Sequence, residues 1–448
     1  MQLCPWLPCS IRQFIRSAAV GSLLAMLLSW CATAAAQYDF EQPPISYLQA
    51  QPNDQVSKLQ AKINAGEIEL TYDKKIGYLP SLLAALQVPK SSQALVFSKT
   101  SFQLRRISPR MPRAIYFNDN VYIGWVRGST VMELSAADPQ LGTNFYTLVK
   151  DESGRPLFQR KTLQCLTCHG SSMTDGIPGH VVRSVYPGQD GQPLLGSGAY
   201  LSNHQSPLER RWGGWYVTGK HGDQRHMGNL TFSRQDDPRK ANLDLGANVT
   251  DLSSYFRTVD YLTPHSDIVA LMVLEHQSTM HNLITQANFL AQYAMRDEAL
   301  MNKVLERPAG FVSDSLTRRI CNAAEPLVKY MLFSGETSLT APIEGSTTFA
   351  NEFASRGPRD NQDRSLRELD LQERLFKYPC SYLIYSDGFK QLPQPVKVQI
   401  HQRLWEVLTG KDTSKDFEHL SATQRREILE ILRATKPDLP DYWKGREE

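Results

Sequence analysis

Cys165-Leu166-Thr167-Cys168-His169 is the stretch of this 448-residue sequence whose residue types and spacing specify a chemistry. In a C-x-x-C-H run the two thiols add across the vinyl groups of a haem, and the histidine is held under the ring as proximal iron ligand. With seven Cys and ten His in the chain, chance supplies such a run only about 0.002 times per sequence. A zinc ribbon needs a second C-x-x-C or an H-x-H pair, and the sequence has neither. A redox dithiol of the thioredoxin kind should be followed by a helix with apolar periodicity, but Gly170 to Gly176 reads as a loop. No second C-x-x-C-H occurs, so the expectation is one covalently held haem and one iron.

The motif resembles that of the c-type cytochromes at Cys165, Cys168 and His169, and the likeness stops there. It implies haem c and its mode of attachment. The remainder is too long for the small all-helical cytochrome c fold. With His169 as proximal ligand, the sixth iron position decides the chemistry: Met or His there makes an electron carrier, and an open position makes a gas binder or a catalyst. Lys220 to Asn229 carries His221, His226 and Met227 on what reads as one flexible loop. Met227, 58 residues beyond His169, is the first candidate for a ligand returning over the ring, with His226 and His276 behind it. The plain alternative for Met227 is a packed apolar side chain. His276 shares a helix face with Met272, Met280 and Leu283, so its plain alternative is a core histidine with a hydrogen-bond partner. Arg210, Arg211, Trp212 and Trp215 are candidate donors to haem propionates, against the alternative of a strand at Trp215 to Thr218 with surface charges beside it.

Where such a haem could be attached is set by the N-terminus. Arg12 and Arg16 precede a small and apolar run from Ser17 to Ala32, and Ala34-Ala35-Ala36 fits a cleavage site before Gln37. Residues 1–36 are thus expected to be a signal peptide, and the mature chain to reach the periplasm without a transmembrane span. Four cysteines follow that point. Haem takes Cys165 and Cys168, leaving Cys321 and Cys380 as an expected disulfide in an oxidising compartment, or as two buried thiols. The 49 basic residues nearly balance 46 acidic ones, with no basic stripe, which argues against a nucleic-acid partner. A redox protein or a small-molecule electron donor or acceptor is expected instead.

The positioning elements read as α+β: a small antiparallel β meander, a loop-rich haem-binding region and a helical C-terminal domain. Residues 37–155 hold a polar extended arm to about residue 60, a short helix over Tyr78 to Gln87 and the meander. Its β-rich runs are 94–97, 114–117, 121–127, 131–134 and 145–149, turning at Asn118-Asp119-Asn120 and Gly128-Ser129-Thr130. Residues 156–310 carry the haem motif, a Gly-, Pro-, His- and Trp-rich stretch, a polar linker over 233–250 and a long helix from about Ser266 to Leu300. In residues 311–448, apolar 3–4 spacing predicts helices near 315–333, 366–377, 396–409 and 421–434, with a long polar loop over 335–363. Electron transfer is the function that follows from the haem alone. A haem-dependent oxidoreductase acting on peroxide, dioxygen or a small oxyanion is the alternative, supported by a chain longer than a carrier needs.

Overall fold

The computed structural model describes residues 39–150, 154–233, 236–237 and 240–444, so the expected signal peptide lies outside the described residues. Period-two alternation builds the sheet. Strands β1 (Ala94–Val96), β2 (Arg113–Phe117), β3 (Val121–Trp125), β4 (Met132–Asp138), β5 (Gly142–Lys150) and β6 (Pro156–Arg160) pair antiparallel in sequence order. The turns are made by short polar side chains that bond the backbone ahead of them. Asn118 Oδ1 accepts from the amides of Asn120 and Val121, and Asp138 Oδ1 from those of Gln140 and Leu141. β7 (Arg183–Val185) and β8 (Ala199–Leu201) form a separate ribbon. β9 (Trp215–Tyr216) then returns to β1, giving a seven-stranded order of β6-β5-β4-β3-β2-β1-β9. A last ribbon joins β10 (Gly219–Lys220) to β11 (Glu344–Gly345).

Each face of the sheet is covered by helices. On one side Ala114, Tyr116, Ile123, Trp125, Leu134 and Leu148 pack against α1 (Gln55–Asn64) and α2 (Leu79–Ala85). Between sheet and loop region sits α3 (Leu163–His169). On the other side Phe117 and Tyr122 join the larger core built around α4 (Ile268–Val304), which Asp267 caps by accepting from the amides of Val269 and Ala270. α5 (Asp314–Met331), α6 (Phe349–Ala354), α7 (Asp387–Lys390), α8 (Gln394–Leu408) and α9 (Ala422–Thr435) complete that core. The fold is α+β with a helical C-terminal region. No helix among the described residues is long and apolar enough to cross a membrane.

Three local expectations are corrected. The arm before residue 60 contains the start of α1, because Asp54 caps the amides of Val56 and Ser57. The stretch 335–363 contains β11 and α6. Most instructive is 366–377, which is not helical despite its apolar spacing. Asp370 Oδ1 takes the amides of Gln372, Glu373 and Arg374, and Leu371 stands at φ 60°. These local bonds compete with a helix and win, while Leu366, Leu375 and Phe376 are buried anyway.

Candidate functional site

α3 follows edge strand β6 after two residues, and Lys161 N–H continues the ladder by donating to Phe145 C=O at 2.8 Å. On this helix of about two turns Cys165, Cys168 and His169 fall at i, i+3 and i+4, within about 100° of arc. Cys165 is half-buried and Cys168 exposed. Burial, helped by the Glu133 carboxylate, pushes the Cys165 thiol up to about 11.

His169 is held from two sides. Its Nδ1 lies 2.9 Å from Gly179 C=O, and Gly179 N–H donates back to His169 C=O at 2.8 Å. With Nδ1–H donating, the lone pair sits on Nε2, the tautomer a metal ligand needs. Burial lowers the pKa of His169, which favours the neutral, ligating imidazole. Phe145 lies against the ring, 4.8 Å between centroids. The Gly179 carbonyl is itself fixed by α4: Asn282 accepts from His180 N–H and donates to His180 C=O, both at 2.8 Å. A side chain at position 179 would meet that carboxamide, its Cβ only 2.6 Å from Asn282 Oδ1. Glycine is required there.

Beside α3, Arg113 and Glu133 form an ion pair at 2.8 Å across the sheet, over Gly124. A methyl group at Gly124 would run into the guanidinium. Arg113 Nε and Glu133 Oε1 are buried without a hydrogen-bond partner. The charges of both residues act on Cys165 and His169. His180 is buried beyond them, its Nδ1 3.2 Å from Thr143 Oγ1 and its Nε2 3.1 Å from Ser135 Oγ, with the Tyr122 ring tilted against it at 4.1 Å between centroids. His281 of α4 follows, 5.9 Å from His180 between centroids. Burial holds both well on the neutral side. None of Gly179, His180, Asn282, Arg113 and Glu133 was singled out from the sequence. They reach α3 from distant strands and a distant helix, and no local pattern marks them.

The candidates for the sixth position each have partners of their own. Met227 is buried with Leu230 and Phe232, and its sulfur accepts from Ser184 Oγ at 3.9 Å. The segment is not the flexible loop expected. Met227 N–H donates to Arg211 C=O, and Asn229 binds Val217 through both its amide oxygen and nitrogen. His226 Nδ1 accepts from Gly228 N–H at 3.0 Å, and burial brings its pKa down to about 3. His221 uses both nitrogens, on Gln224 C=O and Asn248 N–H. His276 does too, with Nδ1 2.9 Å from His204 Nδ1 and Nε2 2.8 Å from Ser381 Oγ. It is a satisfied core histidine. Among the described residues, none of Met227, His226 and His276 shares a hydrogen bond or ring contact with His169.

Of the expected propionate donors, Arg211 and Trp215 have hydrogen-bond partners, while Trp212 Nε1 is buried without one. Arg211 pairs with buried Glu275 at 3.3 Å, Trp215 Nε1 donates to Arg183 C=O, and Arg210 lies over the Tyr200 ring. The expected disulfide between Cys321 on α5 and Cys380 is not formed in this structure, and Cys380 is fully buried, its pKa pushed up to about 12 by that burial. Cys380 is a small apolar core residue.

The residues at α3 fit a covalent haem. Two thiols and an imidazole share one helical face, the imidazole is oriented by its far nitrogen, and Leu163 beside them is 75% exposed, an apolar surface without cover. Among the described residues no three His, Cys, Asp or Glu side chains converge to hold a metal ion, but haem iron takes four bonds from its own ring and asks the protein only for axial donors. Compared with protein-family models, with curated proteins and with solved structures, the chain gives no match.

Proposed function

We propose that the chain is an exported, single-haem c-type cytochrome that transfers electrons in the periplasm. The observation that carries this is the oriented His169 at the end of the C-x-x-C-H helix, Nδ1 on Gly179 C=O and Nε2 unblocked by that bond. Cys165 and Cys168 would hold the haem as thioethers and His169 would be its proximal ligand. Bound there, haem supplies one-electron exchange at its iron. The protein's part is positional: Asn282 fixes the 179–180 backbone, Gly179 aims the imidazole, and Phe145 shields it. Lys161 and Arg113, whose charges both act on Cys165, could meet a propionate in place of Arg210 or Arg211. The partner is a redox protein or a small electron donor or acceptor.

The test is covalent haem itself. Protein matured alongside haem-attachment machinery should keep its haem through denaturation and acid-acetone washing, as read by a pyridine haemochrome assay. Cys165→Ala with Cys168→Ala should lose it. No retained haem in the unaltered chain would end the proposal.

A second reading is favoured by the partners that Met227, His226 and His276 already have. With no such residue as sixth ligand, the iron would keep an open position, as a haem-dependent oxidoreductase needs. Carbon monoxide decides between the two. Ready binding by the reduced protein supports the catalyst, and refusal, reversed by Met227→Ala, supports the carrier.

A further inference from the structure

A cleft of about 440 Å³ opens at the β9 end of the strand order, while α3 follows β6 at the other end. Its volume lies within the range of small-molecule sites, about 300–1,000 Å³. The chain leaving β1 lines it with Phe97 and Lys99, and the turn at Pro109 and Arg110 lines it from a second side. Tyr216 and Tyr255 make an aromatic wall, their rings edge to face at 5.3 Å between centroids. Asp190 and Ser254, both exposed, stand at its rim.

These walls are held by the backbone. Phe97 and Ser98 N–H both donate to Gly214 C=O, at 2.8 and 3.0 Å, and Lys99 N–H donates to Gly191 C=O at 2.8 Å. The Tyr216 hydroxyl donates to Pro109 C=O at 2.7 Å, tying the second side to β9. Gly191 stands at φ 87°, and a Cβ there would lie 2.6 Å from Phe97 C=O, so glycine lets the 188–192 turn come this close. Groups fixed in this way lose little freedom when a ligand arrives.

Charge selects the ligand. From Lys99 to Arg113 the loop between β1 and β2 carries five cations and no acid. Glu133 takes Arg113 at 2.8 Å, and Asp190 takes Lys99 at 3.5 Å while also accepting from Gln192 N–H. Arg105, Arg106 and Arg110 pair with no carboxylate among the described residues, and Arg110 is exposed on the cleft. Two cations therefore face one acid that is already engaged twice, and a cleft lined by surplus positive charge concentrates anions. Pro109 and the half-buried Tyr255 ring offer an apolar wall beside that charge.

We propose that this cleft binds a small aromatic carboxylate, its acid group on Arg110 and Lys99 and its ring against Tyr255 and Pro109. The site goes beyond haem chemistry and does not depend on it.

Isothermal titration calorimetry with 2-naphthoate tests the proposal on the full chain. Saturable binding is expected, at least tenfold tighter than for 2-naphthamide, which keeps the ring and lacks the charge. Arg110→Glu should weaken 2-naphthoate about tenfold or more, and Arg110→Lys should retain most of the affinity. Ser254→Trp, which fills the rim, should block binding, while Lys74→Glu, an exposed cation before α2, should leave it unchanged. Arg110 and Ser254 are exposed, so circular dichroism and thermal midpoint should match the parent in both variants. The proposal is overturned by no saturable binding of 2-naphthoate, by equal binding of the amide, or by binding that survives either Arg110→Glu or Ser254→Trp. Displacement of 2-naphthoate by an equal concentration of inorganic phosphate would also overturn it, because charge alone would then suffice.

Discussion

Replacing Asn282 with Ala tests whether α4 aims His169. The carboxamide answers both backbone groups of His180, accepting from N–H and donating to C=O, each at 2.8 Å. Two neutral hydrogen bonds contribute roughly 1–3 kcal/mol net, and stranding a buried amide and carbonyl adds desolvation, for about 2–4 kcal/mol in all. Asn282 is half-buried, so water reaches part of the vacancy and the expectation sits near the lower end, about 2 kcal/mol. Urea unfolding followed by far-ultraviolet circular dichroism measures it. Asn282→Asp should cost at least as much, because it sets a carboxylate oxygen against the His180 carbonyl. A second effect separates positioning from stability. Once the 179–180 backbone loosens, the Gly179 carbonyl pulls less on Nδ1–H, the imidazole becomes a poorer donor, and the reduction potential of haem-loaded protein should rise. A loss below about 0.5 kcal/mol together with an unchanged potential would refute the reasoning.

Unfolding should take up protons in acid. Burial brings His226 and His276 down to about 3, below their unfolded value of about 6.5. The stability they contribute is complete above that unfolded value and is lost as pH falls toward about 3, with a slope of up to about 1.4 kcal/mol per pH unit for each. Glu275 runs the other way, since burial raises it to about 7 against the pull of Arg211, so its contribution declines as pH rises from its unfolded range to that value. His276→Gln should flatten the acid limb by up to about one proton, and proton uptake identical to the parent would acquit His276. Cys380 should resist iodoacetamide until denaturant is added, while Cys380→Ala costs about 1 kcal/mol and Cys380→Ser more, because a hydroxyl is left in an apolar core. A Cys321–Cys380 crosslink in the intact mass would contradict the separate thiols.

What the sequence made legible was local. The C-x-x-C-H spacing, the alternation of β2 to β5 with their Asn118 turn, and the 3–4 spacing of α4, α5, α8 and α9 all depend on neighbours a few residues apart. The periodicity over 366–377 misled because Asp370 offered the backbone a competing set of bonds that spacing does not reveal. The supports of the site were invisible for a different reason. Gly179, Asn282, Arg113 and Glu133 matter only because the sheet and α4 bring them to α3, and each alone is an unremarked residue in a strand, helix or loop. Met227 reads as a ligand by type and interval, yet its place is fixed by Ser184, Leu230 and Phe232, which its own segment does not announce.

The pairing of β9 with β1 has a consequence in time. β2 to β6 are joined by short connections and can zip up in order as the chain emerges, whereas Leu95 finds Tyr216 only after more than a hundred intervening residues have been placed. The C-x-x-C-H segment lies inside the large loop which that last pairing closes. The meander can therefore stand while α3, at its edge, is still open to whatever must reach the two sulfurs. Thiol pulse-labelling during refolding reads this order at half-buried Cys165, which should remain reactive after Cys380 has been sealed into the helical core, and the reverse sequence would mean that the sheet closes first.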